Sequence, residues 1–170
     1  MARGSECALR PAVPADVSRI CAFGDAHIRP HYAPLIGDEA ADAQVRDWWS
    51  PTQIGAAVSA GLVVVAESGH RVVGVAQRGR HGADHVIYKL YVDPGFRSEG
   101  LGPRLIDALI EQLPSDASRV CVEHFAGNVR AGAFYEREGF TVERVEPSVA
   151  GDPALDVVWR TRPLAGGGRT

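Results

Sequence analysis

Two textures alternate along the middle of the chain. From Leu62, the run LVVVAESGHRVVGVAQRG sets two β-branched stretches around Ser68 and Gly69, the pattern of a β-hairpin. HVIYKLYV, starting at His85, predicts a third strand, and SRVCVEHFA, starting at Ser118, predicts a fourth. Between these two, Leu101, Leu105, Ala108/Leu109 and Gln112/Leu113 fall on one stripe at helical spacing, so the segment predicts a helix with an apolar face. NVRAGAFYEREGF predicts a shorter helix. Asn128 suits its N-cap, Ala131, Phe134 and Tyr135 share a face, and Gly139 suits the C′ position.

Upstream, ECALRPA predicts a first strand, and Val17, Ile20, Cys21 and Ala22/Phe23 suit one face of a helix that Pro30 and Pro34 are expected to interrupt. DEAADAQVRDWWS and PTQIGAAVSAG predict a second helical region, with Pro51 early in a helix and Gly61 at its stop. TVERVEPSV and ALDVVWRTR predict two closing strands, and AGGGRT a disordered tail. The order β, α, α, β, β, β, α, β, α, β, β implies an α/β fold. Its sheet is mixed and mostly antiparallel, with helices on both faces, which argues against a purely parallel doubly wound arrangement. The expected organisation is a single domain over residues 1–164 and a disordered tail over 165–170.

Composition narrows the picture. A chain of 170 residues that is 45% hydrophobic can bury one substantial core. A net charge of −3 leaves no global basic surface for nonspecific nucleic-acid binding, so an anion site has to be local. Cys7, Cys21 and Cys121 are odd in number and widely spaced, which points to a reducing compartment rather than a disulfide framework. The longest apolar run, LVVVA, is far short of the roughly 20 residues that cross a bilayer. MARGSECALRPA lacks the apolar centre of a secretory signal. A soluble, cytoplasmic protein with no membrane or nucleic-acid partner is expected. The six histidines show no metal-ligand spacing, the His27/His31 pair being separated by Pro30, and no metal is expected.

The junction YVDPGFRSEGLGPRLIDAL carries candidate chemistry. A glycine-bearing turn between a strand and a helix can wrap main-chain N–H groups around an anion, because the first helical turn leaves donors unpaired and carries partial positive charge. Pro103 and Arg104 follow Gly102, so the segment matches neither the GK[ST] of a P-loop nor the third glycine of a dinucleotide fingerprint. At this point another phosphate cradle and a plain turn both remain open.

A second segment changes the reading. Arg97, Gly100 and Gly102 have the form Q/R-x-x-G-x-G/A, and Asn128, Ala131, Phe134, Tyr135, Gly139 and Phe140 have the form N-x-x-A-x-x-F/L-Y-x-x-x-G-F. In this order, with LYVDP directly before the loop, the stretch from Leu62 to Phe140 resembles the GNAT superfamily of N-acetyltransferases. The resemblance implies the acyl-CoA N-acyltransferase fold, acetyl-CoA as acyl donor, and transfer to a primary amine of a small molecule or peptide by direct attack on the thioester. It implies pyrophosphate contacts at Arg97, Ser98, Gly100, Leu101, Gly102 and Arg104, with Pro103 removing one possible donor. Main-chain contacts to the pantetheine arm are implied at Leu90, Tyr91 and Val92, and a place beside that arm for Asn128.

For the reaction, the resemblance makes Tyr135 the acid that meets the departing thiolate. Many relatives carry a glutamate base on the strand before the loop, and HVIYKLYV has none. Glu123 on the next strand is the candidate base, with His85 next and a water chain as the other route. Glu123 and His124 are adjacent on a strand and therefore point to opposite faces. His31, Tyr32 and Trp49 are candidates for the acceptor pocket. Trp48 and Trp49 diverge by about 100° on a helix, so one packs while the other faces the cleft or a partner. The missing strand glutamate also motivates a rival, a non-catalytic acyl-CoA-binding sensor or regulatory module on the same fold. A homodimer through exposed β edges is expected on fold analogy alone. The acidic balance mildly suits a cationic small molecule, but the acceptor amine is not readable from these residues.

Overall fold

The computed structural model describes residues 6–165. The expected tail lies outside the described residues except for Ala165. Seven strands form one sheet: β1 (Ala8–Pro11), β2 (Val63–Ser68), β3 (Arg71–His81), β4 (Asp84–Val92), β5 (Arg119–Phe125), β6 (Thr141–Glu146) and β7 (Val157–Pro163), in the spatial order β1-β2-β3-β4-β5-β7-β6. Pairings β1–β2, β2–β3, β5–β7 and β6–β7 are antiparallel, whereas β4–β5 is parallel. A parallel pair needs a crossover, and the helix α5 (Leu101–Glu111) lies in the β4–β5 connection. The expected mixed, mostly antiparallel sheet is thus present.

The chain divides into two compact units. One takes the chain up to Gln77 together with Lys89–Glu111; the other takes Arg78–Tyr88 and the chain from Gln112 on. In the first, α1 (Val17–Phe23), α2 (Arg29–Ile36), α3 (Asp38–Trp48) and α4 (Pro51–Ser59) precede β2. Ile20, Phe23, Ile28, Val45, Trp49, Ile54 and Val58 pack with Val63, Val65 and Val75. The other face of β2 and β3 meets α5: a Cβ built on Gly74 would lie 3.1 Å from Leu105 Cδ1 and 3.2 Å from the Ala66 Cβ. Alternate residues of this valine-rich stretch therefore face helices on opposite sides, which is why its apolar run is nearly unbroken. In the second unit, Val86, Cys121 and Trp159 form a small core, and α6 (Val129–Arg137) follows β5.

The prolines do not interrupt the first helical region. α1 passes through a π-helical turn, Gly24–Ile28, directly into α2. Pro30 falls in the first turn of α2, where an amide hydrogen is dispensable, and only Pro34 sits inside the helix. Gly24 has a separate reason to be glycine. A Cβ there would stand 2.8 Å from Cε3 of Trp49, whose indole is buried at 3% exposure. Gly24→Ala is therefore expected to lower unfolding stability by about 1–3 kcal/mol, measured by denaturant titration, despite alanine's better helix propensity. Unchanged or raised stability would show that the indole can yield.

Candidate active site

The loop after β4 is built by its first residue. Asp93 Oδ1 accepts from the Gly95 amide at 2.9 Å, and the Phe96 amide donates to the Asp93 carbonyl at 2.8 Å. The chain then makes a 3-10 turn, Pro94–Glu99, and reaches Gly100 at φ +70°, in the left-handed region that disfavours side-chain-bearing residues. α5 starts at the next residue. The amides that open a helix have no intrahelical acceptor, and of those at the start of α5 Leu101 and Gly102 each carry a hydrogen. Pro103 does not. At this place the missing hydrogen leaves the helix intact, so Pro103 is neutral for folding but takes one donor from the anion cradle.

Side chains at the loop differ in how well they match their expected roles. Arg97 and Ser98 are exposed, and Arg97 Nε donates to the Val92 carbonyl at 3.4 Å. Leu101 is fully buried, so only its amide can face an anion. Arg104 requires a correction. Its Nη2 donates to the Cys7 carbonyl at 3.0 Å, tying α5 to the segment before β1, so part of its guanidinium is already engaged by the fold. The β4–β5 ladder runs from His85/Val120 to Ile87/Val122, while β4 itself continues to Val92.

Upstream of the loop, β4 faces a group of aromatic rings from the helices. Tyr32 and Tyr91 share a hydroxyl–hydroxyl hydrogen bond of 2.5 Å, and the His31 ring lies 6.1 Å from that of Tyr91. Trp49 meets Tyr91 edge-on at 5.6 Å. The structure thus brings His31 and Tyr32 beside a residue expected to hold coenzyme. Trp49 is corrected: it is the packed member of the Trp48/Trp49 pair, and Trp48, at 56% exposure, is the outward one. Trp49 supports the ring cluster from within and has almost no surface for direct contact with an acceptor.

The sequence reading passed over Lys89. It is 7% exposed, donates from Nζ to Gln77 Oε1 at 3.0 Å, and holds Nζ 5.5 Å from the Trp49 ring centre. Burial pushes its pKa down to about 8. The available signal was a lysine between apolar neighbours in HVIYKLYV.

In the second unit, α6 begins as expected: Asn128 Oδ1 accepts from the Ala131 amide at 3.2 Å, and Gly139 closes the helix at φ +87°. Tyr135 is buried to 8% exposure among Phe134, Phe140 and His124, with its ring 6.1 Å from the imidazole and inclined by 26°. His124 is held neutral. Nδ1 faces the Phe125 carbonyl at 2.8 Å and Nε2 receives Arg160 Nε at 3.0 Å, a pattern that places the ring proton on Nδ1. Burial lowers its pKa, with Arg160 adding to the effect against the Phe125 carbonyl. This pair was not foreseen, because β7 reaches β5 only through the tertiary fold.

Glu123 points to the other face of β5 from His124. It stands opposite Trp159 of β7, reaches solvent, and has a pKa raised by partial desolvation and by the neighbouring Glu146. The ring of Tyr135, stacked on His124, and a carboxylate reluctant to ionise therefore lie on opposite faces of one strand. His85 is less suited to base chemistry. Its Nδ1 is buried without a hydrogen-bond partner, Arg80 Nη1 lies 3.4 Å from its Nε2, and burial with Arg80 and Arg78 lowers its pKa. Among the described residues, no group of three or more His, Cys, Asp or Glu is placed to hold a metal ion, and no helix is long and apolar enough to cross a membrane.

Comparison with known proteins agrees with this geometry. Residues 59–142 match the family model described as an acetyltransferase (GNAT) domain. The mycothiol acetyltransferase of Propionibacterium freudenreichii is 30% identical over 122 residues, 66% of this chain and 35% of that protein. The spore coat polysaccharide biosynthesis protein SpsD of Bacillus subtilis is 29% identical over 140 residues, 80% of this chain and 47% of its own length. The chain thus spans less than half the length of these curated relatives. Among solved structures, the PaiA N-acetyltransferase of Thermoplasma acidophilum, in complex with coenzyme A, superposes with a TM-score of 0.77 at 14% identity, covering 94% of this chain and 99% of that one. Its sequence is too distant to show more than a shared fold, but the family model, the sheet topology and the glycine-turned start of α5 agree: the chain carries a GNAT acetyltransferase domain over residues 59–142.

Proposed function

We propose that the protein is an acetyl-CoA-dependent N-acetyltransferase that passes an acetyl group to a primary amine by direct attack on the thioester. The observation that carries this reading is the start of α5, where the Gly100 turn leaves the Leu101 and Gly102 amides at a helix N-terminus beside Arg97, a donor set that fits a pyrophosphate. The main chain of Leu90, Tyr91 and Val92 would hold the pantetheine amides as an added strand would, with Asn128 beside the same arm. Acetyl-CoA supplies an acyl group activated as a thioester. Tyr135 donates its phenolic proton to the departing sulfur, and its packing against His124 and Phe140 fixes where the hydroxyl points. Glu123 takes the proton that the amine must lose. The proposed organisation is one transferase domain over residues 1–164.

The test is acetyl-CoA-dependent thiol release across a panel of primary amines. Release with at least one amine is expected, and binding of acetyl-CoA with no release across the panel would favour the sensor reading. The pH profile adds a second prediction. The pKa of Glu123 is raised, so it is protonated and inactive as a base up to a higher pH than an ordinary carboxylate of pKa about 4.3. kcat/KM should therefore rise with pH through an acid limb above the usual carboxylate range. Glu123→Gln should remove that limb and lower kcat/KM by roughly 10²-fold. A Gln variant with the wild-type rate and limb would leave proton removal to water.

A further inference from the structure

We propose that Lys89 and the rings around it form an acceptor subsite for an amine that also carries a carboxylate, the ammonium taking the carboxylate and the half-buried rings of His31, Tyr32 and Tyr91 taking its carbon skeleton. The proposal rests on the transferase reading for the fate of the amine, but not for the binding itself. Its starting point is an unbalanced charge. Lysine is almost never buried unless paired, yet Lys89 is 7% exposed. Its partners, the Gln77 amide oxygen at 3.0 Å and the Trp49 ring at 5.5 Å, are both neutral. No carboxylate among the described residues forms an ion pair with it, and desolvation alone accounts for its lowered pKa.

Those two neutral contacts leave donor capacity on an ammonium with three N–H groups. A carboxylate would complete it, and in surroundings this dry a charge-assisted hydrogen bond is worth more than at an exposed site. The rings continue the site outward from Lys89. Trp49 meets Tyr91 at 5.6 Å, and Tyr91 meets His31 at 6.1 Å and Tyr32 at 6.4 Å, forming a connected wall of flat surfaces. The nearby carboxylate of Asp93 is engaged elsewhere, 3.6 Å from His27 and 3.3 Å from Arg71, and does not neutralise Lys89. The subsite runs against the overall charge of −3, which mildly suits a cationic small molecule.

Calorimetric titration of the full chain with 3-phenylpropionate tests the subsite without any transfer step, since this ligand has a ring and a carboxylate but no amine. The uncharged comparator is 3-phenylpropanol. Wild-type protein is expected to bind the carboxylate about tenfold or more tightly than the alcohol, and Lys89→Met to bring the two within about twofold. Lys89→Gln serves as a second uncharged variant should Met fail to fold, and Lys89→Arg should restore part of the preference. Absence of the preference in wild type, or its survival in the uncharged variants, would overturn the proposal. A turnover arm compares L-phenylalanine with phenethylamine. The amino acid should be favoured in wild type, with the advantage lost in Lys89→Met. Equal slowing with both amines would instead place Lys89 at the thioester and contradict the subsite. If 3-phenylpropionate binding depends on Lys89 but no amine releases thiol, the subsite stands and the transferase reading falls.

Discussion

Tyr135→Phe is expected to lower kcat by about 10²–10³-fold while leaving the acetyl-CoA Kd within about twofold. The substitution removes one oxygen and keeps the ring. The phenyl ring keeps its place against His124, Phe134 and Phe140, contacts made by ring surface, so α6 and its Asn128 cap should be unaffected. What is lost is a proton positioned for a thiolate as it leaves. An interaction made only in the transition state lowers kcat without weakening binding, whereas a purely structural tyrosine would show its loss in unfolding stability. Steady-state kinetics with an active amine, paired with denaturant unfolding, separates the two. An unchanged kcat across pH would remove Tyr135 from the chemistry.

The second large effect is expected at the anion cradle. Gly102 does not adopt a positive φ, so an aspartate can take its backbone conformation. Placed in the first turn of α5, the new carboxylate meets the same amides that a pyrophosphate would. Gly102→Asp should therefore stabilise the helix by about 0.3–1 kcal/mol through the macrodipole. The same change should raise the acetyl-CoA Kd by about 10²-fold, since the donors are occupied and a like charge faces the ligand. Opposite signs for stability and binding are the diagnostic outcome, measured by unfolding and by calorimetry. Unimpaired acetyl-CoA binding would move the pyrophosphate away from this helix start.

Features set by local periodicity and turn chemistry were legible before the structure. The hairpin around Gly69, the Gly100 turn, the Asn128 cap and the Leu101–Leu105–Leu109 stripe depend on residues close in sequence, and each lies where the pattern puts it. Misreadings arose where distant segments meet. The prolines of the first helical region were expected to break it. A π-helical turn and a first-turn position absorb Pro30, and packing of Ile28 and Tyr32 against the core holds the helix together. Arg104 reads as a free cation in RSEGLGPR but donates to Cys7, nearly a hundred residues earlier in the chain. Lys89 lies in HVIYKLYV with no local mark beyond its apolar neighbours, and Gln77 and Trp49 enclose it only in the fold. The Arg160–His124 pair depends on a register between β5 and β7 that no single segment encodes.

In the proposed reaction the acetyl group passes from acetyl-CoA to the amine without stopping on the protein, and a single-turnover experiment follows that step. Protein in excess is mixed with acetyl-CoA carrying a labelled acetyl group and with an amine found active in the thiol-release panel. After rapid quenching, intact-protein mass and small-molecule products are followed together. The label should appear in the acetylated amine at the rate of thiol release, with the protein's mass unchanged throughout. Label accumulating first on the protein, or remaining in acetyl-CoA while the coenzyme stays bound, would contradict it.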